Sequence, residues 1–158
     1  MSATETTSAT SVSVDIVVEA PIEHAFHVFT DGIQGWWDPD HHLLDAPLES
    51  MTFEPRVGGH IVDQYGDGRE CRWARVLAYD PPSHVVFSWD IALNWQLATD
   101  LAKTSEVEVT FAADGPHRTH VVLTHRNLER HGEGWESMRD AVRRGWSLAR
   151  YAEVASTG

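Results

Sequence analysis

The sequence predicts an α+β domain: a curved antiparallel sheet of about seven strands wrapped on a long C-terminal helix, with two short helices after the first strand. Three observations predict it. From Leu48 onward, short runs alternate apolar and polar residues and are divided by turn signals, the pattern of an antiparallel meander. Before that, a β-branched run leads into two short helical patterns. After it, Gly132 to Val154 carries an apolar stripe at helical spacing, long enough to cover the one apolar face of the sheet.

The first strand reads from Val14 to Ala20, and Pro21 then suits the opening turn of a helix, with Glu23 near its positive end. Ala25, Phe26, Val28 and Phe29 give that helix its apolar face, and Thr30-Asp31-Gly32 stops it. A second helical turn holds Ile33, Trp36 and Trp37 before Pro39. Strands follow at Met51–Glu54, His60–Tyr65, Glu70–Tyr79, Val85–Ile91, Thr104–Ala112 and Thr119–His125. Gly58-Gly59, Gly66-Asp67-Gly68, Asp80-Pro81-Pro82-Ser83 and Asp114-Gly115-Pro116 supply turns between them. Ala92 to Lys103 reads equally as a long loop or a short helical turn.

The last helix puts Trp135, Met138, Val142, Ala149 and Ala152 on one stripe, widened by Ala141 and Leu148. Glu136, Arg139, Asp140, Arg143, Arg144 and Arg150 fall mostly on the other side. Gly145 costs about 1 kcal/mol against alanine inside a helix, so it marks a kink or a close approach of another backbone.

Charge and composition bound the function. The formal net charge of -12 disfavours nucleic-acid backbones and anionic membrane surfaces as partners. Cys71 is the only cysteine, which excludes an intramolecular disulfide and fits a reducing cytoplasm. Residues 1–13 are Ser/Thr-rich, without a basic start or an apolar signal core, and read as a disordered tail before a single domain at 14–154. No phosphate loop, serine elbow or zinc-protease motif is present, and no cofactor is expected.

Six motifs occur in order: Ala20-Pro21-Ile22-Glu23-His24-Ala25-Phe26; Gly35-Trp36-Trp37 with Asp38-Pro39-Asp40-His41-His42; Phe53-Glu54-Pro55-Arg56-Val57-Gly58-Gly59; Trp73-Ala74-Arg75-Val76-Leu77-Ala78-Tyr79-Asp80-Pro81-Pro82; Val86-Phe87-Ser88-Trp89; and Gly145-Trp146. This series resembles the START-like or SRPBCC superfamily, over Val14 to about Ala152. More narrowly it is similar to the branch called activator of heat-shock protein 90 ATPase homologue-like. The resemblance implies the helix-grip fold and, between sheet and last helix, a cavity for an apolar or amphipathic small molecule. It also implies two alternatives: a module that docks a chaperone, and a cyclase- or hydrolase-like enzyme using a cavity histidine. Where many relatives carry a Pro/Gly-bearing insertion before the Gly-Trp pair, Val142-Arg143-Arg144 runs straight into Gly145, which predicts an uninterrupted helix.

The expected ligand-binding residues are Trp36, Trp37, Phe53, Tyr65, Trp89, His125, Met138 and Val142. Tryptophans favour places where an apolar body meets a polar tip, such as pocket mouths, although they also simply fill cores. His125 shares a face with Val121 and Leu123, so it is the polar group on an apolar wall and the one candidate for catalysis. Asp63 is its best inward partner, but no spacing argument sets the two side by side. Asp38, Asp40, His41 and His42 crowd together, yet no second cluster at metal spacing supports them, and no metal is expected. Treatment with a chelator is therefore expected to leave the melting temperature unchanged. A fall of several degrees would reveal a structural metal.

Overall fold

The computed structural model describes residues 4–7, 10–38, 41–146 and 148–157. Its strands are β1 Thr4–Thr7, β2 Val12–Val18, β3 Leu48–Phe53, β4 His60–Tyr65, β5 Glu70–Asp80, β6 His84–Trp89, β7 Ser105–Ala113 and β8 Thr119–Arg126. Its helices are α1 Ile22–Phe29, α2 Trp135–Gly145 and α3 Ala149–Thr157, with short 3-10 turns at Ile33–Gly35, Leu101–Lys103 and Leu128–His131. The strands form one antiparallel sheet in the order β1-β2-β8-β7-β6-β5-β4-β3. This is the helix-grip fold expected from the sequence.

Alternation sets which face is buried. In β2, Val12, Val14, Ile16 and Val18 point inward while their neighbours are partly exposed. They sit opposite His125, Leu123, Val121 and Thr119 of β8, which in turn face Val107, Val109, Phe111 and Ala113 of β7. The other half of the sheet is less regular. Register shifts interrupt the β3–β4, β4–β5 and β5–β6 pairings. Each bulge bends its strand and adds local twist, so three in succession curl this half around the helices. On the outer face, Arg75 donates from Nε and Nη2 to the Asp90 carboxylate, both at 3.0 Å, and Ser88 Oγ accepts from the Arg75 backbone N–H at 2.9 Å.

Two findings differ from the sequence reading. Thr4–Thr7 forms an edge strand, with Thr7 opposite Val12 and Thr4 opposite Asp15. The sequence reading placed these four residues in a disordered tail before the domain at 14–154; in the structure they pair with β2. Short Thr-rich edge strands need no apolar face, so composition does not betray them.

The C-terminal helical segment is also interrupted rather than continuous. It breaks after Gly145, and α3 restarts at Ala149 with a shifted phase. In α2, Met138 and Val142 are buried as expected; in α3 the buried residues are Tyr151, Ala152 and Ala155, following Leu148 in the break. Ala149, assigned to the apolar stripe, is exposed. Nothing lies within 4 Å of a Cβ built on Gly145, so no close backbone approach explains the glycine. Tyr151, fully buried, donates its hydroxyl to the Ala25 carbonyl at 2.6 Å and ties α3 to α1.

Met138 is 1% exposed while Arg143 is on the wet side of α2. Met138→Asp buries an unpaired carboxylate and is expected to cost several kcal/mol in denaturant melts. Arg143→Ala is expected to change stability by less than about 0.5 kcal/mol. Equal effects would mean that the helix faces are misassigned.

Candidate functional site

Four tryptophans from four separate elements close a ring of contacts. Trp37 follows the first 3-10 turn, Trp73 lies on β5, Trp89 ends β6 and Trp146 occupies the helix break. Their ring centroids are 5.3 Å (Trp37–Trp73), 5.5 Å (Trp73–Trp89), 5.7 Å (Trp89–Trp146) and 5.6 Å (Trp146–Trp37) apart. Trp36 joins at 5.7 Å from Trp37 and donates its indole N–H to the Val28 carbonyl at 3.0 Å. These distances are those of favourable tilted and edge-to-face aromatic pairs.

This ring walls a cavity of about 1100 Å³ between the sheet and the helix break. Six of the seven tryptophans line it; Trp135 alone does not, stacking instead under Arg139. The buried end carries Trp36, Trp73, Trp89, Ile91, Val142, Trp146 and Asp63, and the exposed rim carries Asp38, His41, Trp95, Arg144 and Arg150. Trp95 is 46% exposed and holds a left-handed backbone, φ 62°, which is uncommon for a bulky residue.

Of the residues the sequence assigned to the site, Trp36, Trp37, Trp89 and Val142 line the cavity. Phe53, Tyr65, Met138 and His125 do not. Phe53 packs edge-on against Phe87 at 6.3 Å, and Met138 is buried beneath the sheet. Tyr65 supports a lining residue instead, donating its hydroxyl to Asp63 Oδ2 at 3.4 Å.

His125 stands behind the wall, fully buried, with its ring 5.1 Å from Trp89. Its hydrogen bonds fix its tautomer. An indole N–H only donates, so the 3.1 Å bond from Trp146 Nε1 makes His125 Nδ1 an acceptor and leaves the proton on Nε2. Nε2 then donates to Ser105 Oγ at 2.7 Å, and the serine hydroxyl donates to His131 Nε2 at 2.8 Å. Burial pushes His125 down to about 3 and lowers His131 as well. This relay is neutral and enclosed, behind the indoles of Trp89 and Trp146. It fastens the helix break to β7, β8 and the last 3-10 turn, and His125, expected to border the cavity, is not among its lining residues.

The polar group on the apolar wall is Asp63. It is 1% exposed and shares the inward face of β4 with Ile61 and Tyr65. Trp73 Nε1 donates to its Oδ1 at 3.0 Å. Burial outweighs that bond and raises its carboxyl to about 6. Parity along β4 marks Asp63 as an inward acid, and the same parity applied to β5 points to Trp73. Trp146, Arg144 and Arg150 escape sequence reasoning because their placement depends on the helix break. At the rim, His41 pairs with Asp38 at 3.6 Å and the His42 ring is hydrogen-bonded to the Leu44 carbonyl at 2.9 Å. Asp40 lies outside the described residues. Among the described residues no group of three or more His, Cys, Asp or Glu converges as a metal site, and no helix is long and apolar enough to cross a membrane.

A curled sheet gripping a broken helix, with an aromatic cavity between them, defines a domain of the START-like, SRPBCC class. The chain belongs within it to the family described as Activator of Hsp90 ATPase homolog 1-like protein, whose model matches residues 19–150. Among solved structures it is similar to the anthrahydroquino-γ-pyrone synthase Txn09, solved as a complex. The two are 38% identical over 92% of this chain and 96% of that one, with a TM-score of 0.66. It also resembles CalC, a self-sacrificing resistance protein from Micromonospora echinospora, at 24% identity over 94% of this chain and 92% of that one, TM-score 0.61. Protein NE0264 from Nitrosomonas europaea, 12% identical over 94% and 95% of the two chains with a TM-score of 0.66, shares the fold. No curated protein gives a significant sequence match.

The two buried groups act oppositely on stability. His125 takes a proton near 6.5 when unfolded but only near 3 when folded, so stability falls as pH drops through that window. Asp63 ionises near 3.8 when unfolded and near 6 when folded, so its contribution falls as pH rises between those values. Asp63→Asn keeps an acceptor for Trp73 and removes the buried charge. Its melting temperature relative to wild type is expected to be higher at about pH 7 than at about pH 4.5. An equal offset at both would show that Asp63 is not desolvated.

Proposed function

We propose that this chain binds a planar, polycyclic aromatic small molecule in the tryptophan-lined cavity. The observation that carries this reading is the convergence of six tryptophans on one space. A core filled for stability uses branched aliphatics, whereas flat indole faces around an open volume suit stacking on flat rings. The volume of about 1100 Å³ lies at the upper end of small-molecule pockets, enough for a fused tricyclic ligand with substituents. The likeness to a synthase of an anthrahydroquino-γ-pyrone supports the same ligand class.

A second reading has a specific observation behind it. Asp63 is a desolvated carboxyl on the cavity wall with its proton exchanging near pH 6, which suits a general acid or base acting on a phenolic or enolic oxygen. On that reading the chain is a synthase or cyclase, and the acid is Asp63 rather than a histidine. Docking to a chaperone is supported by the family's name alone.

Titrating a soluble anthraquinone is expected to quench tryptophan emission saturably. Trp37 is half-buried and contacts three other tryptophans, so Trp37→Ala is expected to weaken binding by roughly tenfold, the worth of about 1.4 kcal/mol of stacking. Trp135→Ala, outside the cavity, is expected to leave affinity unchanged. Linear, unsaturable quenching in the wild type would overturn the binding proposal. If the wild type converts an anthrahydroquinone substrate and Asp63→Asn binds it without turnover, the synthase reading holds.

A further inference from the structure

The cavity has one feature that a purely apolar ligand does not use. Arg144 stands one residue before the end of α2, and Arg150 one residue after the start of α3. The break between them brings both onto the cavity rim. Eight other arginines, Arg56, Arg69, Arg72, Arg75, Arg118, Arg126, Arg130 and Arg139, each meet a carboxylate within 3.6 Å. Arg144 and Arg150 meet none among the described residues, although acidic side chains outnumber basic ones 24 to 12. In so acidic a chain an arginine without a carboxylate is the exception, and two of the exceptions face the same opening.

The acids near the rim do not neutralise them. Among the described residues neither forms an ion pair with them: Asp38 lies 3.6 Å from His41, and Asp63 is held at the buried end of the cavity by Trp73 and Tyr65. The site therefore has two poles. One is a carboxyl that accepts or donates a proton, and the other is a pair of arginines on the rim of a cavity lined by tryptophans. We infer that Arg144 and Arg150 recognise an ionised carboxylate on the planar aromatic ligand, whose ring system lies against the tryptophans. The inference rests on the aromatic-binding reading above and adds the charge of the ligand to it. Guanidinium groups present a planar fork that matches a carboxylate and also lies flat on aromatic faces. The overall negative charge repels anions at long range, so any preference for them must come from these local cations.

The test compares two nearly isosteric probes, anthraquinone-2-carboxylate and anthraquinone-2-carboxamide, by tryptophan quenching at low ionic strength. The wild type is expected to bind the carboxylate roughly tenfold more tightly, with the preference shrinking as salt is added. Arg144→Ala and Arg150→Ala are each expected to lose roughly fivefold for the carboxylate only, and the double variant to lose the preference altogether. Both positions are exposed, so folding is unaffected, and circular dichroism melts check this. Arg143→Ala, exposed but off the cavity, keeps the preference. The double charge reversal, Arg144→Glu with Arg150→Glu, is expected to favour an aminomethyl-anthraquinone cation instead. Equal affinity for carboxylate and carboxamide in the wild type, or a preference surviving in the double alanine variant, overturns the inference and leaves the aromatic-binding reading standing. Failure of both probes to bind overturns both.

Discussion

The hydrogen bond from the Trp146 indole to His125 is the constraint on which the site depends. It joins the one break in the C-terminal helical segment to the centre of the sheet. The acceptor is a histidine that burial keeps neutral, so the lone pair on Nδ1 is always available. Ser105 accepts from its Nε2, leaving His125 no unsatisfied ring nitrogen, and donates in turn to His131 Nε2. Buried polar bonds of this kind hold their partners in one geometry, although the network ends at His131 Nδ1, which is buried with no partner among the described residues. Here it fixes where Trp146 stands, and Trp146 closes the aromatic ring with Trp37 and Trp89. Without the break, a straight helix would fill the grip and turn its arginines elsewhere.

The cavity therefore comes from two kinds of irregularity acting on opposite walls. Bulges between β3 and β6 curl the sheet away, and the helix break lifts the backbone on the other side. Each departs from ideal geometry. Together they keep four large indoles in contact at their edges while holding open the volume beside them. Asp63 is tolerated at this wall because Trp73 and Tyr65 supply donors, though not enough to bring its carboxyl back to the ordinary range.

The fold was legible in the sequence to a large extent, because alternation and turn residues are local signals. All six strands from β3 to β8 lie where the period-two runs place them, and α1 lies where Pro21 and the Phe26–Phe29 face put it. The site was legible in part. Trp36, Trp37 and Trp89 were recognisable as residue types, and Asp63 by its parity. Depth was not recoverable: alternation says that His125 faces inward, but not that Trp89 and Trp146 stand between it and the cavity. The helix break was signalled only by Gly145, which marked a kink or a close approach alike, and not by its partner in the sheet. The bond that holds Trp146 in the break reaches a residue 21 positions earlier, which no window along α2 contains. β1 was hidden because a Thr-rich edge strand looks like any other polar segment.

The topology also dictates an order of events as the chain is made. Apart from the short edge strand β1, β2 finds its partner in β8, with Val18 opposite Thr119 and Val12 opposite His125. Roughly a hundred residues must be synthesised before that ladder can close, and contacts so distant in sequence form slowly. The helical segment that carries Trp146 is later still. Until it arrives, Trp37, Trp73 and Trp89 have no lid, and the curled half of the sheet presents its aromatic face to whatever is nearby. A nascent chain of this fold thus passes through a stage in which its future binding surface is its stickiest surface, and the last helix to emerge ends that exposure.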